Sequence, residues 1–193
     1  MPVVGVDVGG RGPLDTGPMT DAPSPADDHR IEAAVCASLD TAGARYEVLA
    51  CDPAFADTAQ FCARYGIDPA DSANAILVAT RREPKLHALC LVLANTRLDV
   101  NHAVADLLGV RKLSFASADE TARITGMVLG GVTPFGMPDS VQVYVDARVL
   151  GRPTVVVGGG SRSTKVRVDP EVFARLPGCR VVEGLAMERP AEG

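Results

Sequence analysis

AILVATRREPKLHALCLVL, Ala75 to Leu93, sets two unbroken apolar runs, Ala75–Ala79 and Ala88–Leu93, on either side of the charged segment TRREPKLH. Runs this short, rich in Ile, Leu and Val, have the length of strands rather than helices, and the polar segment between them is long enough to loop back. An antiparallel pair is expected. Before it, Ile31, Ala34, Val35 and Ala37 fit a helix from Arg30 to Leu39 that Gly43 ends, and ARYEVL reads as a strand. Asp52-Pro53 then leads into a helical segment from about Ala54 to Tyr65, stopped by Gly66, in which Thr58 either bonds within the helix or points into a cleft.

After the pair, Val100, Ala103, Val104, Leu107 and Leu108 recur at helical intervals, with Asp99 as a cap and Gly109 as an end. Ser117 or Asp119 begins a short helix that closes at Thr125-Gly126. Val141–Val145 and Thr154–Val157 are strand candidates, Pro170 opens a last helix running to Pro177-Gly178, and CRVVEGL adds a small terminal strand. Strands and helices mix without strict alternation. The pattern predicts an α+β fold, a compact, mixed and largely antiparallel sheet with packed helices, rather than a doubly wound parallel one.

With 193 residues, 47% of them hydrophobic, the chain is sized for one domain. Residues 1 to 28, rich in Gly, Pro, Asp and Ser, are expected to be a flexible tail, residues 29 to 186 the domain, and 187 to 193 a C-terminal tail. The first 28 residues hold five acids and one base, which leaves 19 acids against 18 bases in the rest. The domain is nearly neutral, so a broad positive face for nucleic acid is excluded, while a local basic site is not. No apolar run approaches the roughly 20 residues of a membrane span, and the N-terminus lacks the pattern of an export signal, so no membrane partner and a cytoplasmic location are expected.

The five cysteines are scattered without a CxxC pair, and the three histidines lack metal-ligand spacing, so neither a disulfide scaffold nor a metal site is expected. GxSxG is absent as well. Chemistry, if present, falls to two glycine-bearing segments. In GGVTPFGMP, Gly130 and Gly131 permit close backbone approach, Thr133 follows, Pro134 fixes its own φ, and Gly136 leaves space beside Phe135. The segment is either a ligand wall that offers backbone N–H groups to an oxyanion, or a rigid turn with Phe135 in the core. In GGGSRSTKV, Gly158 and Gly160 bring backbone close to a ligand and Ser161, Arg162 and Lys165 supply donors, but the spacing is neither that of a P-loop nor of a dinucleotide fingerprint. It reads as a glycine-rich hairpin or a ligand-facing loop. Asp139 either orients a ligand or accepts turn N–H bonds. Basic groups gather at Arg81-Arg82-Lys85, Arg111-Lys112 and Arg162-Lys165-Arg167, where they touch phosphates or simply face water.

Three segments, VLANTRLDVNHAVADLLGVRKLSFAS, TGMVLGGVTPFGMP and VVVGGGSRSTKVRV, resemble in order and spacing the YbaK family, the editing domain associated with prolyl-tRNA synthetase. The resemblance spans about residues 29 to 186. It implies hydrolysis of a wrong amino acid from the 3′ end of tRNA, with alanyl- or cysteinyl-tRNA bearing a proline anticodon as the usual substrate. It also implies the tRNA 3′ end as partner, a transient association with an aminoacyl-tRNA synthetase, and no metal or organic cofactor. On this likeness Gly130, Gly131, Pro134, Phe135 and Gly136 match a pocket-forming GGVSPFG-like pattern, with Thr133 at the Ser position and Asp139 as the acid that follows. Gly158, Gly160, Ser161 and Lys165 match the later glycine-rich segment, and Thr58 a helix threonine of the pocket. Gly131, Asp139 and Asn74 are the expected catalytic positions. Asn74 stands where many members carry lysine, and asparagine donates a hydrogen bond without supplying a cation. Lys85 either reaches the site in its place or lies in water. A non-catalytic ligand-binding module and a hydrolase of small aminoacyl esters are the alternative functions.

Overall fold

The computed structural model describes residues 24–189. Along the chain run α1 (Pro25–Thr41), β1 (Tyr46–Ala50), α2 (Thr58–Tyr65), β2 (Ala73–Thr80), β3 (His87–Leu93), β4 (Thr96–Leu98), α3 (Ala105–Leu108) and β5 (Leu113–Phe115). They continue with α4 (Ala118–Thr125), β6 (Gln142–Asp146), α5 (Ala147–Leu150), β7 (Val155–Gly158), β8 (Thr164–Val168), α6 (Val172–Arg175), β9 (Cys179–Val182) and β10 (Ala186–Glu188).

The apolar pair is antiparallel, with Ile76 opposite Cys90, and forms the centre of a five-stranded sheet in the order β5-β2-β3-β6-β9. β6 and β9 join in parallel, so the sheet is mixed. β1, β8 and β7 make a second, antiparallel sheet, and β4 pairs with β10. The fold is α+β, as its sequence pattern predicts.

Alternation along β2 and β3 explains why their runs are apolar throughout: both faces are covered. Leu77, Leu89 and Leu91 face a core shared with Val35 and Leu39 of α1, Val155 and Val157 of β7, Val166 and Val168 of β8, Phe135 and Phe173. Val78, Cys90 and Val92 face the opposite way, against Val104, Leu98 and Leu185. A third, smaller cluster, Cys51, Ala56, Phe61 and Val156, holds α2 on the three-stranded sheet. A parallel bridge between Ser72 and Val156 ties the start of β2 to β7, so the two sheets meet at that end.

Several boundaries differ from the sequence reading for local reasons. α1 begins at Pro25, before the expected start at Arg30, because Ser24 and Asp27 form a reciprocal capping box. The last helix shrinks to Val172–Arg175. β4, β5, β10 and α5 are three or four residues each, too short for periodicity to reveal. Of the two expected tails, residues 1–23 and 190–193 lie outside the described residues.

Candidate functional site

The site originates in a helix that does not run on. Asp52 accepts the Ala54 N–H at 2.9 Å and sets a 3-10 turn at Pro53–Phe55, after which Asp57 restarts the chain as the N-cap of α2. The single helix expected from Ala54 to Tyr65 is therefore two pieces, and the break turns the Ala56 carbonyl toward β8. There Lys165 Nζ donates to Ala56 O at 2.6 Å and to Gly130 O at 2.5 Å, and lies 5.3 Å from the Phe61 ring centre. Lys165 is only 5% exposed. Burial pulls its ammonium below the ordinary lysine range, with smaller influences from Cys51, Arg162, Asp57 and Cys62. An ammonium has three donors, so one remains for a ligand.

Lys165 shares a cavity of about 70 Å³ with Thr58, Asn74, Gly130 and Gly158, and Phe61, Val132 and Val156 supply apolar wall. Thr58 Oγ1 donates to Asn74 Oδ1, which leaves the Asn74 amide N–H groups for another partner. The cavity lies at the seam where the two sheets meet.

Two backbone segments close this seam. The Gly160 N–H donates to Gly131 O at 2.8 Å. A Cβ on Gly158 would overlap Val132 O, and one on Gly131 would overlap Ser161 O, so neither position accepts a side chain without displacing backbone. Gly130 adopts φ +89°, which turns its carbonyl onto Lys165.

The region that supplies this chamber, residues 52–176, matches the model of the aminoacyl-tRNA editing domain. The chain belongs to that family. It is 27% identical over 153 residues to the prolyl-tRNA editing protein ProX of Acetoanaerobium sticklandii, a span of 77% of this chain and 92% of the relative. A solved putative trans-editing enzyme for prolyl tRNA synthetase superposes with a TM-score of 0.67 at 24% identity, over 87% of this chain and all of the other. A hypothetical protein of known crystal structure gives 0.70 at 22% identity, over 79% of this chain and 99% of its own. At these identities the solved structures show a shared fold.

Within this editing domain, the residues that stand out in the sequence divide into three groups. Asn74, Thr58, Gly130, Gly158 and Lys165 line the chamber, and Gly131 and Gly160 form the seam behind it. The Gly131 N–H is bonded to Val128 O at 2.9 Å, so it is spent within its own turn. Arg162 and Ser161 serve as ties. The Arg162 guanidinium donates to Pro53 O at 2.7 and 3.0 Å and to Leu129 O at 2.8 Å, and pairs with Asp57 at 3.2 Å. The buried Ser161 hydroxyl donates to the Glu32 carboxylate of α1 and accepts the Ser163 N–H at 2.9 Å.

The third group lies elsewhere. Phe135 is fully buried and stacks on Phe173 at 5.5 Å between ring centres, so it belongs to the main core and not to the chamber wall. Pro134, Gly136 and Asp139 border a separate groove near Arg175, and Asp139 is exposed. Thr133 is buried with its hydroxyl unpartnered among the described residues. Lys85 does not replace the family lysine: its Nζ donates to Thr80 O at 3.0 Å, at the opposite end of β2 from Asn74. The cation of the chamber is Lys165, reached from β8.

Phe61, Ser72, Leu129 and Val156 also line the chamber, and no motif or spacing marks them in the sequence. The paired caps Asp52-Pro53 and Asp57-Thr58 are the available signal that the helix breaks between them. Cys51 and Cys62 lie near Lys165, but burial pushes both thiols up, away from the thiolate a nucleophile requires. Among the described residues no three His, Cys, Asp or Glu side chains converge as a metal-binding group, and no helix is long and apolar enough to cross a membrane.

Proposed function

We propose that this chain hydrolyses the ester bond of a mischarged aminoacyl-tRNA. The observation that carries the reading is a small backbone-walled chamber holding one buried ammonium beside the Thr58–Asn74 pair, inside the span that matches the editing family. An ester carbonyl placed there meets the remaining Lys165 N–H, which donates to the oxygen as negative charge develops on it; in a site of low dielectric such a donor counts for more than it does in water. The Asn74 amide and Thr58 oxygen hold the attacking water. The water oxygen bonds to the carbonyl carbon, the ester C–O bond breaks, and the ribose oxygen leaves with a proton given up by that water, while the acyl group departs as the amino acid's carboxyl.

A cavity of about 70 Å³ suits a side chain of very few atoms. The likeness to a prolyl-tRNA editing protein makes alanyl- and cysteinyl-tRNA bearing a proline anticodon the first substrates to examine, and each further methylene is discriminated by about 1–3 kcal/mol. The test is release of labelled amino acid from a panel of aminoacyl-tRNAs. Rapid release from a small-side-chain ester, slowed in Lys165→Met, supports the reading. Binding of the same tRNAs with no release above the spontaneous rate identifies a binding module instead.

A further inference from the structure

A second cavity, of about 560 Å³, opens at the far end of β2 between the β2–β3 loop and the segment before β5. Arg81, Arg82, Arg111 and Lys112 border it. The two basic clusters, thirty residues apart in sequence, meet because Thr80 pairs with Leu113 in the antiparallel β2–β5 ladder. The ladder ends at that pair, so Arg81 and Arg82 leave β2 where Arg111 and Lys112 lead into β5. Like charges gathered on one cleft repel one another.

No ion pair offsets that repulsion. All four side chains are exposed, and none is paired with a carboxylate among the described residues. The one carboxylate on the cleft, Glu83, accepts the Lys85 N–H at 2.9 Å within its own loop. The loop is braced, since Thr80 Oγ1 accepts the Leu86 N–H at 3.0 Å and donates to Pro84 O at 2.9 Å. By contrast the third basic cluster is consumed internally, with Arg162 and Lys165 on carbonyls and Arg167 on Glu47 at 2.7 Å. Four exposed cations against one carboxylate on a cleft call for a polyanion.

We propose that this cleft binds the phosphate backbone of the acceptor stem of the tRNA whose ester occupies the chamber. The identity of the nucleic acid rests on the deacylase reading. The spacing fits: from Asn74 to Thr80 along β2 is roughly 20 Å at about 3.3 Å per residue. The last few unpaired nucleotides of a tRNA, stacked at about 3.4 Å each, cover most of that distance. Phosphates of the first base pairs then fall at the cleft while the 3′ end reaches the chamber.

The test separates the cleft from the chamber by measuring binding of uncharged tRNA across a salt series, and hydrolysis of 3′-O-alanyl-adenosine, which has no stem. Two double variants, Arg81→Ala with Arg82→Ala and Arg111→Ala with Lys112→Ala, are compared with Arg175→Ala plus Arg180→Ala, exposed cations elsewhere. Each cleft variant is expected to bind tRNA about tenfold or more weaker and to hydrolyse the small ester at the parental rate. Its log–log salt slope is expected to fall by about 0.9 for each phosphate no longer neutralised. The control variant is expected to bind as the parent does. Unchanged affinity and slope in both cleft variants, an equal loss in the control, or no tRNA binding by the parent protein overturns the proposal. If the parent binds tRNA through the cleft yet hydrolyses no aminoacyl ester, the deacylase reading fails and the cleft assignment stands.

Discussion

The Gly160 N–H donates to the Gly131 carbonyl at 2.8 Å, joining two segments that are almost thirty residues apart in the chain. Around this bond the backbones touch so closely that a methyl group has no room, most severely at Gly158, where a Cβ would overlap Val132 O. Gly158→Ala is expected to cost about 1–3 kcal/mol, the usual range for overpacking, and to open the chamber so that deacylation falls by more than the unfolded fraction explains. Gly151→Ala is the control, since its nearest neighbour lies at 3.4 Å and its φ is −77°. Urea midpoints and initial deacylation rates for the two variants provide the check; equal midpoints would mean that the seam has room for a methyl group after all.

Lys165 links stability and activity through one proton. Burial lowers its pKa from the ordinary 10.5, so between the lowered value and 10.5 the folded chain holds fewer protons than the unfolded one. Stability therefore carries a constant penalty below the folded pKa and rises with pH through that window, reaching its full gain above 10.5. Activity runs the other way, because the donating ammonium is lost as the folded pKa is passed. Lys165→Met is expected to abolish both pH dependences and to lower kcat with little change in KM, as measured by alkaline denaturation series and pH–rate profiles. An alkaline limb that persists in Lys165→Met belongs to another group.

How much of this is readable from sequence depends on whether side-chain pattern or backbone geometry carries the information. The β2–β3 pair is legible because two apolar runs flank a charged loop, and the glycine segments are legible because glycine alone marks a close backbone approach. The parallel addition of β6 and β9 is not, since strand order is set by packing between distant segments. Phe135 reads equally well as wall or core until Phe173 is placed against it. Lys165 reads as a loop donor, but its role as the buried cation depends on the Ala56 and Gly130 carbonyls, which have no residue-type signature.

Thr58 and Asn74 are joined side chain to side chain in the chamber, whereas Asp139 is exposed on another groove. Asn74→Ala removes both the acceptor for Thr58 and the amide donors, so a fall in kcat/KM of about 100-fold is expected, in the range that positioned polar groups supply. Thr58→Val keeps the shape and loses the hydroxyl, and a smaller fall, about tenfold, is expected. Asp139→Asn is expected to stay within about twofold of the parent, because surface changes away from a site are nearly neutral. Single-turnover deacylation of one mischarged tRNA by all three variants checks the ranking, and a large loss in Asp139→Asn would return that residue to the chemistry.

Arg162 holds the chamber without lining it. Its guanidinium spans Pro53 O, Leu129 O and Asp57, which fixes the 3-10 turn before Ala56 and the residue before Gly130, the two carbonyl neighbours of Lys165. A planar fork makes these bonds at once, and an ammonium cannot, so Arg162→Lys is not a conservative change. Arg162→Lys and Arg162→Ala are both expected to lose about 1–2 kcal/mol, a figure reduced from that of a buried charged network because the side chain is one-third exposed. The Arg162 charge also depresses Lys165, so in Arg162→Ala the alkaline limb of the pH–rate profile is expected to move upward toward the ordinary lysine value. A merely structural tie would lower the urea midpoint and leave that limb in place, and this outcome would remove Arg162 from the control of the chamber.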